Sequence, residues 1–258
     1  MTGSDQPAQT IVPFGIDFGG TGIKGAPIDL ATGTFAAERV RIKTPAKSVP
    51  DAIAAIFVEL LGHFPDCTGP VGVTVPGVVH HGVVRTAANI DKSWKGTDAD
   101  ALFTRATGRE VHVVNDADAA GLAEVRYGAA RGRRGLVVVT TLGTGIGSAL
   151  LYDGVLVPNS ELGHLEIDGH DAEARAANSA REREDLSWKE WAKRLQKYYR
   201  TVEKLLAPDL FVVGGGISKQ ADEFLPLLDL DTEIVPATLR NNAGAVGAAL
   251  YAVESSGR

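Results

Sequence analysis

The tetrapeptide Gly-Thr-Gly-Ile occurs twice, at residues 20–23 and 143–146, 123 residues apart in a chain of 258. Val12, Phe14, Ile16 and Phe18 alternate with a period of two into Asp17-Phe18-Gly19-Gly20-Thr21-Gly22-Ile23-Lys24. The run from Leu136 to Val139 leads in the same way into Thr140-Thr141-Leu142-Gly143-Thr144-Gly145-Ile146-Gly147, and a further strand-like stretch follows each turn, at residues 26–30 and 148–152. Four matching residues in a glycine-rich chain carry little alone. The matching strands on both sides make this a duplicated strand-turn-strand unit, one per half, with a cleft between the halves.

The rest of the chain alternates strand and helix patterns, which specifies the α/β class. Strands are expected at residues 71–75, 111–114 and 210–213. Helices are expected at 51–64, opened by Ser48, and at 117–130. A third, at 187–206, has Ser187 and Glu190 as a capping box and an apolar stripe of Trp188, Trp191, Leu195, Tyr198, Val202 and Leu205. Residues 243–253 form a helix of small side chains suited to close backbone packing. Residues 1–10 read as a disordered tail and the charged, aperiodic residues 168–185 as a surface loop. The division expected is a small lobe, 11–114 with the closing helix 243–258, and a large lobe, 115–242.

Composition excludes several classes. Hydrophobic residues at 44% and charged residues at 22% are those of a globular protein. No apolar run approaches the ~20 residues of a membrane span, and the opening MTGSDQPAQT lacks the basic flank and apolar core of a signal peptide. Cys67 is the only cysteine, which rules out disulfides within the chain and a cysteine-built metal site and fits a reducing cytoplasm. A net charge of −6 argues against broad nucleic-acid binding, so any polyanion has to be held by a local basic patch. The 30 glycines exceed the ~7% average and point to tight turns or close approaches of backbone to ligand.

Glycine turns between strands can aim backbone N–H groups and a Thr hydroxyl at phosphate oxygens; they also serve as plain hairpin turns. Neither copy has Walker-type spacing. Two turns in equivalent positions favour hairpins clasping a phosphate chain, through Gly19, Gly20, Thr21 and Gly22 on one side and Thr141, Gly143, Thr144 and Gly145 on the other. Asp17 beside such a turn needs a cation between itself and phosphate, which points to Mg²⁺ held through water, with Lys24 adding positive charge. Asn115-Asp116 falls where a strand ends and a helix begins. Asp116 there can accept a proton from a substrate hydroxyl with Asn115 bonding neighbouring hydroxyls, or the pair can simply cap the helix. Glu161 and His164 flank a Gly turn and suit a sugar's vicinal hydroxyls; no further His or Cys nearby completes a zinc site.

These motifs, together with Gly214-Gly215-Gly216-Ile217, occur in the order found in the ROK family of sugar kinases, which the chain resembles over about residues 11–253. The resemblance implies the actin-like ATPase (ribonuclease H-like) fold, two duplicated α/β domains around a cleft. It implies that Asp116 is the base for the sugar 6-hydroxyl, that Asn115, Glu161 and His164 bind the sugar, that both glycine turns hold donor phosphates, and that Gly214, Gly215 and Gly216 belong to a nucleotide-side pocket. One departure is the absence of the cysteine-rich zinc motif that many members carry after the Glu-x-x-His segment, so no structural zinc is expected. A further sugar-binding Glu usually lies beyond that motif; Glu166, Glu173 and Glu182 are the candidates here. The bacterial polyphosphate-using glucokinases also lack the motif, and the chain resembles them in Gly69-Pro70-Val71-Gly72-Val73-Thr74-Val75-Pro76-Gly77, Thr86-Ala87-Ala88-Asn89-Ile90-Asp91 and the start of the 187–191 helix. That subgroup implies a homodimer transferring a phosphoryl group from inorganic polyphosphate, in some members also ATP, to glucose.

A polymeric donor has some support in the residues themselves. Lys189, Lys193 and Lys197 recur at four-residue spacing, continued by Arg200 and Lys204, opposite the apolar stripe, and Arg131, Arg133 and Arg134 cluster before the second glycine hairpin. Such lysines also line ordinary solvated helix faces. The competing readings are a mainly ATP-dependent glucokinase or glucomannokinase and a non-catalytic sugar-sensing regulator. The latter is disfavoured because only about ten residues, too few for a helix-turn-helix, precede the first strand.

Overall fold

A computed structural model describes residues 12–87 and 90–256. The expected tail at 1–10 and the pair Ala88-Asn89 lie outside the described residues. Two mixed sheets are present. In the first, of six strands, Thr34–Phe35 borders Ile23–Asp29, followed by Phe14–Phe18, Val71–Val75 and Val111–Asn115, with Val40–Ile42 also on Ile23–Asp29. In the second, of five, the order is Val155–Val157, Ile146–Tyr152, Leu136–Leu142, Leu210–Gly214, Ile234–Pro236. Each sheet joins one antiparallel glycine hairpin to two parallel strands. The repeat read from the sequence is thus a repeat of topology.

Parallel pairing decides where ligands can meet the molecule. Asp17 pairs with Thr74 and Val75 with Asn115, so the carboxyl ends of three strands share one edge of the first sheet. Gly214 pairs with Thr141 at the corresponding edge of the second. In α/β proteins such edges form the ligand crevice.

Two helices seal the sheets together. Asp116–Tyr127 packs on the second hairpin, where a Cβ on Gly121 would crowd Ala149 and Leu151. Ala243–Ser255 lies on the first sheet so closely that a Cβ on Gly15 or Gly72 would overlap the carbonyl of Ala245 or Ala248, and one on Gly247 would overlap that of Ala119. Backbone meets backbone at all three places, which is why this helix carries so many small residues. The first sheet's other face buries an aromatic cluster, with Phe57 and Phe103 4.5 Å apart beside Phe18 and Trp94.

Some local expectations need correction. The first helix spans Pro50–Gly62 and is opened by Pro50 behind Val49 with no side-chain cap. The Ser48 carbonyl instead accepts from Trp94 Nε1 at 2.6 Å. Residues 168–185 are not a loop: a two-stranded ribbon, Glu166–Ile167 with His170–Asp171, leads into helices Ala172–Ala176 and Asn178–Arg183. Ala172, Ala176, Ala177 and Ala180 are buried there, a tertiary anchor that charged neighbours conceal in the sequence. Helix Trp188–Leu206 has its capping box and buries most of the stripe, but Leu205, at its end, is exposed. No helix among the described residues is long and apolar enough to cross a membrane.

Candidate active site

The strand Val111–Asn115 turns directly into helix Asp116–Tyr127, and Asn115 performs the capping. Its Oδ1 accepts from Ala117 N at 2.8 Å and Asp118 N at 3.1 Å, and its Nδ2 donates to Gly77 O at 3.1 Å. Buried and committed in this way, Asn115 keeps one amide hydrogen for anything else. Asp116 is thereby freed from the cap and opens into the cleft. Its carboxyl accepts from Ala117 N at 2.9 Å, and crowding by protein lifts its pKa to about 6, with the charges of Asp17 and Glu161 adding to the rise. Asp17 comes from the first sheet and Glu161 from the segment that opens the 3₁₀ turn Leu162–His164, so three carboxylates from separate segments converge.

Asp17 leaves its strand beside the first glycine turn. Lys24, its register partner across the hairpin, places Nζ 3.7 Å from Oδ2, and the Thr74 hydroxyl, which accepts from Phe18 N at 3.0 Å, donates to Oδ1 at 3.3 Å. In the turn, Gly19 N donates to Gly22 O, and the Thr44 hydroxyl donates to Gly19 O at 2.6 Å. Arg41 lies against Gly22 and donates to Thr21 O at 3.1 Å, which brings a guanidinium to the turn that sequence reading did not single out. Gly20 and Thr21 are exposed at its tip.

The second turn is held differently. Ser179 donates its N–H to Gly143 O at 3.1 Å and its hydroxyl to Thr144 O at 2.6 Å, while Glu173 Oε2 accepts from Ile146 N at 3.0 Å beside Gly145. Thr141 sits in the strand and packs on Gly147. Gly215, with φ of 83°, lies so close to Leu142 that a Cβ would overlap its backbone, which explains the glycine run after Gly214. Gly143 and Gly216 consequently line one cavity of about 390 Å³ with Asn178, Arg181 and Trp188.

Glu161 and His164 frame the short 3₁₀ turn Leu162–His164. Gly163 is pressed on the Ile146 carbonyl and Leu162 N donates to Ser148 Oγ at 2.9 Å, which docks the turn on the second hairpin. His164 Nε2 stands 3.6 Å from Glu161 Oε2, its Nδ1 2.8 Å from Asp171 Oδ2 and 4.0 Å from Glu173 Oε1. The hydrogen bond to Asp171 raises the imidazole's pKa most, with the Glu173 and Glu161 charges adding; burial chiefly raises that of Glu161. Of the three Glu candidates, Glu173 reaches this cluster. Glu166 is exposed on the ribbon and Glu182 bonds Asn178 Nδ2 at 2.8 Å. Among the described residues, His164, Asp171 and Glu173 alone come close to a metal-ligand set, their ligand atoms lying within 4.8 Å of one another, and the 2.8 Å bond already occupies His164 Nδ1. Asp118, one turn into the helix, is buried, accepts from Asn159 N at 2.8 Å and has its pKa pushed up to about 7, chiefly by burial.

The expected basic track is only partly assembled. Lys189, Lys193 and Lys197 project from one exposed helix face, Lys197 ion-paired to Asp168, and Lys193 and Lys197 line a cavity of about 290 Å³ with His170, Arg175 and Tyr198. Arg200 is occupied by Glu203, Asp229 and Asp231. Arg131 and Arg133 lie away from the second glycine turn. They precede the seven-residue strand Leu136–Leu142, whose length of about 23 Å separates them from the glycine turn at its other end, and Arg133 is paired with Glu233.

Two hairpin-containing sheets closing on a shared crevice of carboxylates and glycine turns define the actin-like ATPase class of α/β phosphotransferases. The ROK family model matches residues 13–182, and the chain belongs to the ROK family. It is 52% identical over 241 residues to the polyphosphate glucokinase of Mycobacterium tuberculosis (strain ATCC 25618 / H37Rv), covering 93% of this chain and 91% of that protein. The crystal structure of the inorganic polyphosphate/ATP-glucomannokinase from Arthrobacter sp. strain KM superposes with a TM-score of 0.91 at 56% identity, over 95% of this chain and 99% of that one. A ROK family glucokinase from Streptomyces griseus, in complex with glucose and AMPPNP, shares the fold with a TM-score of 0.81 at 22% identity, over 95% and 100% of the two chains.

Proposed function

We propose that this protein is a polyphosphate glucokinase, transferring the terminal phosphoryl group of inorganic polyphosphate, and also of ATP, to the 6-hydroxyl of glucose. The observation that carries the reading is Asp116. It is a carboxylate released from capping duty by Asn115, facing the cleft between the two glycine hairpins, with a pKa of about 6 that leaves it ionised at neutral pH. It accepts the 6-hydroxyl proton as the oxygen attacks phosphorus. Glu161 and His164 offer an acceptor and a donor to adjacent sugar hydroxyls, Glu173 supports them from the Gly145 side, and the remaining amide hydrogen of Asn115 serves one hydroxyl more.

The donor phosphates lie against the N–H groups of both turns, with Arg41 and Lys24 balancing charge on the first. Asp17 fits a Mg²⁺ ion held through water: it faces the same space as Asp116, whose pKa burial raises first and the charges of Asp17 and Glu161 raise further. Bound Mg²⁺ would neutralise charge on the phosphate oxygens. ATP as a second donor is supported by the cavity between Gly143 and Gly216, which has room for a nucleoside. The polymer's further phosphates follow Lys189, Lys193 and Lys197, on the helix whose first residue, Trp188, lines that same cavity.

We divide the molecule functionally as 11–114 with the closing helix, against 115–242, and place it in the cytoplasm as a homodimer. Exposed Tyr152, Val155 and Val157 on the edge of the second sheet support self-association, which sedimentation velocity tests. The decisive assay compares initial rates of glucose 6-phosphate formation with polyphosphate and with ATP at matched Mg²⁺, with mannose as an alternative acceptor. Turnover with ATP and none with polyphosphate would leave an ATP-dependent glucokinase instead.

A further inference from the structure

His164 and Glu173 meet from different elements, Nδ1 to Oε1 at 4.0 Å, one on the sugar-facing 3₁₀ turn and the other on a helix whose first turn supports the glycine loop at Ile146. A single side chain connects them. Asp171 closes the ribbon with Glu166, and its two carboxylate oxygens have separate partners. Oδ2 is 2.8 Å from His164 Nδ1, and Oδ1 accepts from Glu173 N at 3.1 Å, capping helix Ala172–Ala176. Ala172 N donates to Leu165 O at 2.9 Å, tying the same corner to the residue after His164.

An ionised carboxylate only accepts, so Nδ1 of His164 must carry the hydrogen of that 2.8 Å bond. The orientation of the ring then leaves Nε2 facing Glu161 Oε2 at 3.6 Å, too long for a direct hydrogen bond and wide enough for a sugar hydroxyl to bond both groups. Glu161, Asp171 and Glu173 are the titratable groups around the ring, and all three favour its protonated form.

We infer that Asp171 is a positioning residue for sugar binding: one oxygen fixes the orientation and tautomer of His164 while the other holds the helix that presents Glu173. The inference rests on the reading of Glu161 and His164 as the sugar pair, and it extends that reading to a residue that need not touch the substrate.

Asp171→Asn separates the two duties. One amide oxygen cannot accept from both Glu173 N–H and His164 Nδ1–H. If the amide keeps the cap, its NH₂ faces the ring and forces the hydrogen to Nε2. Long-range ¹H–¹⁵N spectra of the ¹⁵N-labelled protein, with His164 assigned by its absence in His164→Gln, should show Nδ1 protonated in the wild type and Nε2–H with Nδ1 bare at pH 8 in Asp171→Asn. Asp171→Glu, which keeps a carboxylate, should retain Nδ1 protonation. The KM for glucose should rise about tenfold in Asp171→Asn, the loss of one hydrogen bond to a charged group, with donor KM and Tm within error of wild type. An unchanged ring signal, or equal changes in glucose and donor KM, would overturn the assignment. So would stoichiometric zinc in the purified wild type that is lost in Asp171→Asn, because a metal would then be doing the orienting. Failure of the wild type to phosphorylate glucose would sink the kinase reading, and the ring spectra would still decide whether Asp171 sets the tautomer.

Discussion

At the scale of single residues, the site turns on how neighbouring polar groups divide the work. Asn115 and Asp116 are adjacent and either could cap the helix. Asn115 takes the cap, accepting from both Ala117 N and Asp118 N, and Asp116 keeps one such bond, from Ala117 N, with its carboxylate open to the cleft. Asp116→Asn keeps the fold, because the cap is unaffected, and should lower kcat by about 10²–10⁴-fold, the usual worth of general base catalysis; turnover and Tm measured together check it. Because the base must be ionised and its pKa is raised from 3.8 to about 6, kcat/KM should be flat above neutrality and fall as pH drops through about 6, with unit slope. A limb near pH 4 would mean that Asp116 is not the titrating base.

At the scale of elements, the C-terminal helix shows what the small residues are for. A Cβ on Gly72 would sit inside the Ala248 carbonyl, and neither partner is a side chain that can swing away. Gly72→Ala should therefore cost about 3 kcal/mol or more, beyond the usual 1–3 kcal/mol of overpacking, because strand or helix must shift bodily. Gly62→Ala, at a position with open space, is the control and should be near neutral; urea midpoints of the two variants decide. The glycine hairpins, the capped strand-to-helix junction and the boxed helix Trp188–Leu206 were legible in the sequence because each is specified by residues within a few positions of one another. Residues 168–185 were not. Their helices are five and six residues long, below what helical periodicity can register, and depend on Asp171 as a cap and on four buried alanines. Arg41 escaped for a related reason, as did the hold of Glu173, itself one of the sugar-site candidates, on the second turn: each reaches a glycine turn about 20 or 27 residues distant in the chain, a contact that pairing of strands and docking of helices creates.

At the scale of the whole molecule, an acidic protein confines its cations. Arg200 and Arg133 are neutralised by carboxylates, and the run Lys189, Lys193 and Lys197, with Lys197 paired to Asp168, begins next to Trp188 at the cavity by the second turn. Lys193→Glu with Lys197→Glu should raise the KM for long-chain polyphosphate by about tenfold or more, leave that for ATP within twofold, and flatten the salt dependence of the former, since screened long-range attraction is what is removed. Equal effects on both donors would place the polymer elsewhere.

The closing helix also sets an order of events at the ribosome. Gly15 and Gly72, on strands made early, rest on a helix translated about 230 and 176 residues later. At roughly 5–20 residues per second the first sheet waits tens of seconds with one face uncovered. That face is where a nascent chain of this protein needs shielding, and the wait ends only when residues 243–255 clear the exit tunnel.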